Sequence, residues 1–84
     1  MNLKIKTFGI SRDILGGREV EIVLTGNSVG DLRKHLYTTY PDLQKLNSLF
    51  IAINLEYAAD EHVLTENDEV ALIPPVSGGW FDLY

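Results

Sequence analysis

Apolar and polar residues alternate from Leu3 to Phe8, with Leu3 and Ile5 on one side and Lys4, Lys6 and Phe8 on the other. This is the two-residue period of a half-buried strand, except that Phe8 falls on the polar side. A second alternation runs from Glu19 to Leu24, placing Val20, Ile22 and Leu24 inward and Glu19, Glu21 and Val23 outward. Between them, Gly9 to Gly17 reads as a connection with one helical turn at Ser11-Arg12-Asp13-Ile14-Leu15, and Gly16-Gly17 offers the positive φ of a tight reversal. The two strands are expected to pair as a hairpin.

The period then lengthens. Ser28-Val29-Gly30-Asp31 has the spacing in which a serine caps the first helical turn and an acidic side chain reaches back to it. Val29, Leu32, Leu36 and Tyr40 form one apolar stripe, Asp31, Arg33, Lys34 and Thr38 take the solvent side, and Pro41 stops the helix. Pro41 to Leu46 predicts one further turn, with Leu43 and Leu46 covering the sheet edge, and Ser48 to Ile53 a buried strand. Asn54-Leu55-Glu56 is a turn candidate because Asn tolerates left-handed φ, and Tyr57-Ala58 and His62-Val63-Leu64 are at most short strands. A polar turn, Thr65-Glu66-Asn67-Asp68, leads into a last strand, Glu69 to Ile73, with Val70 and Leu72 inward and Ala71 and Ile73 outward. This order predicts an α+β chain of the β-grasp type, a mixed sheet with one main helix on one face.

A sheet covered on one face has another that is bare, and Phe8, Val23 and Ile73 fall on it among lysines and glutamates. If the first and last strands are neighbours, these residues form one docking patch near the point where the chain leaves the last strand. Scattered apolar residues, or a patch covered by the chain's own aromatic end, are the alternatives.

Composition narrows the chemistry. With 84 residues there is room for one domain and a modest core. The absence of cysteine excludes disulfides, thiolate metal sites and a cysteine nucleophile, and agrees with a reducing cytoplasm. A net charge of -5 with seven Lys plus Arg argues against nucleic acid, whose phosphates require clustered cations. No apolar run approaches the roughly 20 residues that span a bilayer. His35 and His62 have no serine or cysteine partner in a recognisable triad pattern. Asp60, Glu61, Glu66, Asp68 and Glu69 lack the spacing and glycine of a calcium loop, and Gly16-Gly17 lacks the rest of a phosphate-binding motif. No cofactor is expected on the chain itself.

The most informative stretch is Pro74-Pro75-Val76-Ser77-Gly78-Gly79. Two prolines project a stiff extended arm, and two glycines give it a tip narrow enough for a channel that excludes side chains. With the strand before it, Asp68 to Ile73, this stretch resembles the C-terminus of the small subunits of molybdopterin synthase, which are ubiquitin-like sulfur carriers. The resemblance extends through Ala52-Ile53-Asn54, Leu64-Thr65 and the first strand with Phe8, so it covers nearly the whole chain. It implies that Gly79 is adenylated and converted to a thiocarboxylate, and that Pro75, Val76, Ser77, Gly78 and Gly79 insert into the large synthase subunit. It also implies that Phe8, Tyr57 and Ile73 dock the partners.

The resemblance further implies sulfur transfer to a cyclic pyranopterin phosphate. ATP would be used by a ubiquitin-activating-like adenylyltransferase, and the carrier would hold no catalytic group of its own. The chain departs from the family where Trp80-Phe81-Asp82-Leu83-Tyr84 follows the second glycine. A Gly79-Trp80 amide has no carboxylate to activate, so residues 1–79 are expected to be the carrier domain and 80–84 an extension removed by a peptidase. The alternatives are a carrier of the thiamine, cysteine or tungsten cofactor pathways, and an interaction module without carrier chemistry.

Overall fold

The computed structural model describes residues 1–46 and 48–74. The predicted tail, Pro75 to Gly79, and the predicted processing site at Gly79-Trp80 lie outside the described residues.

Five strands form one mixed sheet. The elements in chain order are β1 (Asn2–Thr7), α1 (Ile10–Leu15), β2 (Glu19–Val23), α2 (Val29–Thr39), a 3-10 turn (Pro41–Lys45), β3 (Phe50–Ile53), β4 (Glu56–Tyr57) and β5 (Val70–Ile73). Across the sheet the order is β2-β1-β5-β3-β4. β1 pairs antiparallel with β2 and parallel with β5, so the first and last strands are neighbours. β5 pairs antiparallel with β3 on its other side. The expected hairpin is present with α1 inserted in its connection, and α1 ends at Gly16, whose φ of 87° turns the chain back.

One core unites the covered face of the sheet with α2. Leu3 and Ile5 from β1, Ile22 from β2, Ile51 and Ile53 from β3, and Val70 and Leu72 from β5 share a buried cluster with Val29, Leu32 and Leu36 of the helix. Leu43 is fully buried there, whereas Leu46 is half-buried against it, so the 3-10 turn closes the core more than it covers an edge. The predicted capping box is present: Ser28 Oγ accepts from Asp31 N at 3.0 Å, and Asp31 Oδ2 accepts from Ser28 N at 3.2 Å and Asn27 N at 3.1 Å.

Two stretches differ from the predicted strands for identifiable reasons. His62-Val63-Leu64 forms only an isolated bridge, between Val63 and Ser28. The carbonyls of His62 and Asp60 instead accept from Val29 N and Gly30 N, each at 2.9 Å, satisfying donors that the first turn of a helix leaves free. Ser48-Leu49 lies outside β3, and the Leu49 carbonyl accepts from the Arg33 guanidinium at 2.6 Å instead of joining a ladder. Arg33 Nε also meets Asp60 Oδ1 at 3.1 Å, so one side chain ties α2 to both neighbouring loops.

Leu36 is fully buried in the cluster. Leu36→Ala should therefore cost about 2–5 kcal/mol of unfolding free energy in urea denaturation, a severe loss for a chain of this size. The turn carboxylates set the acid limit. Asp31 is held below the usual carboxylate range by the Ser28 and Asn27 amides, and Asp68 by the Thr65 amide and the Asn54 side chain. Because folding depresses both, their contribution is complete above the unfolded value of about 3.9 and is lost as pH falls through the folded values. Acid titrations of stability should therefore be flatter for Asp31→Asn and Asp68→Asn than for the parent chain.

Candidate functional site

The face of the sheet away from α2 is built by strand parity. Lys6 of β1 pairs with Ala71 of β5, Ala71 with Ala52 of β3, and Ala52 with Tyr57 of β4. One row across the sheet thus reads Lys6, Ala71, Ala52, Tyr57, with the two smallest side chains in the middle. In the next row Ile73 stands opposite Phe50. The result is a groove of about 320 Å³ lined by Lys6, Phe8, Ala52, Leu55, Tyr57, Glu69, Ala71 and Ile73. Two alanines make its floor, and larger apolar residues stand on either side.

The groove is open to solvent. Phe8 is 44% exposed, Phe50 47%, Tyr57 70% and Leu55 87%. The Phe50 and Tyr57 rings lie 5.2 Å apart and are tilted by 31°, a favourable offset for aromatic pairs. The Lys6 ammonium sits 3.4 Å from Glu69, so the charged rim is internally paired. Phe8, Tyr57 and Ile73, predicted from different segments, therefore line one depression.

Val23 does not belong to this patch. It pairs with Asn2 at the opposite end of β1, six residues from Phe8 and so roughly 20 Å away along the strand. Around that end the same face is polar, with a second depression of about 390 Å³ whose lining includes Glu19, Glu21, Glu66, Asp68 and Glu69 together with Lys4 and Lys6. The open face is divided between an apolar half and a mainly acidic half.

Leu55 on the groove rim, and Phe50 beside it against the Tyr57 ring, were not singled out from the sequence. Phe50 has the same parity as Ala52, and that two-residue offset was the available signal; a uniformly apolar run conceals it. Leu55 gave no signal. It occupies the second position of the Asn54-Leu55 connection between β3 and β4, with φ of 52° and 71° at the two residues. Positive φ at both central residues is the type I′ hairpin turn, which suits Asn and disfavours Leu. Leu55 is thus both left-handed and exposed, at the rim of the groove.

A compact joint fixes the groove to the point where the chain departs. Ser11, fully buried, donates through Oγ to the Phe8 carbonyl at 2.6 Å and accepts from the Phe8 amide at 3.1 Å. Gly9 has φ 58° and ψ -137°, a region closed to other residues, and a Cβ there would stand 3.2 Å from Pro74 Cγ. Pro74 consequently lies against the bare face of Gly9. The polypeptide leaves the body at the corner of the groove, directly after Ile73 and beside Phe8. The two histidines are elsewhere: His35 is half-buried on α2, and His62 is exposed in the loop over its N-terminus.

Sequence comparison matches the ThiS family over residues 5–79, a span that ends on the second glycine of the Gly78-Gly79 pair. The chain belongs to the ThiS family. Among its relatives, the molybdopterin synthase sulfur carrier subunit of Chlamydomonas reinhardtii is 35% identical over 83 residues, covering 94% of this chain and 100% of the relative. The protein of the same name from Caenorhabditis elegans is 34% identical over 83 residues, covering 94% of this chain and 99% of the relative. Solved structures of similar proteins superpose on the chain. A molybdopterin converting factor subunit 1 from Pyrococcus furiosus gives a TM-score of 0.80 at 27% identity, over 90% of this chain and 99% of that one. A second, from a complex of subunits 1 and 2 of the molybdopterin-converting factor of Helicobacter pylori, gives 0.65 at 26% identity, over 94% of this chain and 100% of that one. The β-grasp fold expected from the order of elements is the fold of these proteins. Among the described residues, no helix is long and apolar enough to cross a membrane.

Leu55→Gly should raise the urea midpoint. Relief of a left-handed leucine is worth about 1–2 kcal/mol, against about 0.5–1 kcal/mol for the added freedom of an unfolded glycine.

Proposed function

We propose that this chain is a sulfur carrier and the small subunit of a molybdopterin synthase. It would deliver sulfur from a Gly79 thiocarboxylate to a cyclic pyranopterin phosphate in molybdenum cofactor synthesis. The observation that supports this most directly is a family match ending at Gly79 on a chain whose body releases its tail from the corner of an apolar groove. The names of the curated relatives agree with the reading, and the two-subunit complex supports a large subunit as the principal partner.

A peptidase first hydrolyses the Gly79-Trp80 amide and frees the Gly79 carboxylate. A carboxylate is a poor electrophile, so a ubiquitin-activating-like adenylyltransferase must make it a better one. The carboxylate oxygen attacks the α-phosphorus of ATP, pyrophosphate leaves, and an acyl adenylate forms. A sulfur donor then displaces AMP and leaves the thiocarboxylate. The carrier contributes no acid, base or nucleophile beyond its own terminus. It contributes a body that partners can grip and a tail that reaches their active sites, working where ATP is available, in the cytoplasm.

The groove is the grip in this reading. Phe8, Tyr57, Ile73 and Leu55, with Phe50 packed on Tyr57 beside them, present an apolar centre, and the mainly acidic half of the face favours a partner with basic residues beside its own apolar patch. Pro75, Val76, Ser77, Gly78 and Gly79 enter the large subunit. A β-carbon at the last position would meet the walls of a passage shaped for glycine.

The test uses the chain truncated after Gly79, its cognate activating enzyme, ATP and a sulfur donor. Intact mass should rise by the replacement of one oxygen with sulfur, and Gly79→Ala should slow this step without lowering the unfolding midpoint. No mass change in the truncated chain would remove the carrier reading. Thiocarboxylation of Gly79→Ala at the parent rate would remove the narrow-passage argument.

A further inference from the structure

The groove is an apolar surface beside the tail's point of departure, and the chain carries a matching ligand. We propose that before processing the groove is occupied by the chain's own Trp80-Phe81-Asp82-Leu83-Tyr84 segment, so that the uncut protein hides its docking face as well as its reactive glycine. This rests on the carrier reading for its biological meaning, though not for its geometry.

Reach permits the contact. Ile73 is part of the groove, and Trp80 lies six residues beyond Pro74, a span of up to roughly 20 Å. The far wall, Tyr57, is two strands from β5, roughly 10 Å. A chain running outward from β5 must reverse to lie on this face, and Ser77-Gly78-Gly79 has the composition of a reversal.

Chemistry selects the occupant. Four of the five residues, Trp80, Phe81, Leu83 and Tyr84, are aromatic or apolar, matching an aromatic-walled groove with an alanine floor. The one charge, Asp82, would share Lys6 with Glu69, the lysine's partner on the rim. Other exposed apolar residues, Val23, Ile10 and Val63, line neither this groove nor the polar depression at the other end of the face.

The link also sets the strength. A short tether gives an effective concentration of about millimolar, so even an intrinsic dissociation constant of about 0.1 mM would weaken a competing partner by roughly tenfold. One peptide-bond cleavage would then do two things: it would create the carboxylate that is activated and open the surface that the activating enzyme and the large subunit need.

Trp80 is the only tryptophan, so its fluorescence reports the contact without a label. In the full chain its emission should be blue-shifted, and acrylamide should quench it roughly several-fold less than in urea, as for a ring seated in an apolar site. Tyr57→Lys, at an exposed position that should not disturb folding, should restore quenching to the urea level. Quenching of the parent as free as in urea overturns the proposal. Shielding that survives Tyr57→Lys, or that disappears on dilution and so comes from a second copy, also overturns it.

A second arm measures binding to the cognate large subunit. The full chain should bind roughly tenfold more weakly than the chain truncated after Gly79, and Trp80→Ser with Phe81→Ser in the full chain should recover most of the difference. Equal affinity of full and truncated chains refutes the occlusion. If the truncated chain does not bind at all, the carrier reading fails, while the fluorescence arm still decides whether the groove is filled.

Discussion

The parallel pairing of β1 with β5 is the constraint on which the site depends. Ile5, Lys6 and Thr7 stand beside Val70, Ala71 and Leu72, so the beginning and end of the described chain run side by side in the same direction. Phe8 and Pro74 therefore emerge together, one from each strand. A parallel pair requires a long crossover, and here most of the chain serves as one: β2, α2, β3 and β4 all lie between the paired strands. What that crossover achieves is an exposed groove residue, Phe8, and the root of the tail, Pro74, at one corner.

The joint at that corner makes the placement rigid. Ser11 engages both main-chain groups of Phe8, which leaves this residue little freedom although it lies just beyond the strand. Gly9 lets Pro74 approach to a distance that a side chain would obstruct. A main chain held in this way would need no further ordering were a partner to bind there.

Features controlled by neighbours in sequence were legible, and those controlled by partners across the fold were not. The capping box of Ser28 and Asp31, the stripe of Val29, Leu32 and Leu36, and the inward parity of Val70 and Leu72 are local patterns, and each is present. The parity of Val23 was also correct, but its distance from Phe8 depends on the register between β1 and β2, which alternation cannot supply. His62-Val63-Leu64 could be at most a short strand on its pattern; the first turn of α2 claimed the carbonyl of His62 and that of nearby Asp60 instead. Leu55 broke the local rule that left-handed positions go to Gly or Asn, and such a break becomes visible only when φ is known. Of the predicted site, Phe8, Tyr57 and Ile73 converge on one groove, whereas Gly79 and the residues around it can be argued only from chemistry.

The site's economy follows from where strain and exposure are concentrated. The covered face carries a continuous buried cluster, and the bare face carries the residues that folding alone would not favour: exposed aromatics, a left-handed leucine, an unburied tyrosine. A body of this size has little stability to spare, so such features are expected where binding compensates for them. Binding through the groove would place the root of the tail, at Pro74, against the partner. Recognition and delivery are thus one geometric event: a partner that grips Phe8 and Ile73 has, within one residue, determined where the tail begins.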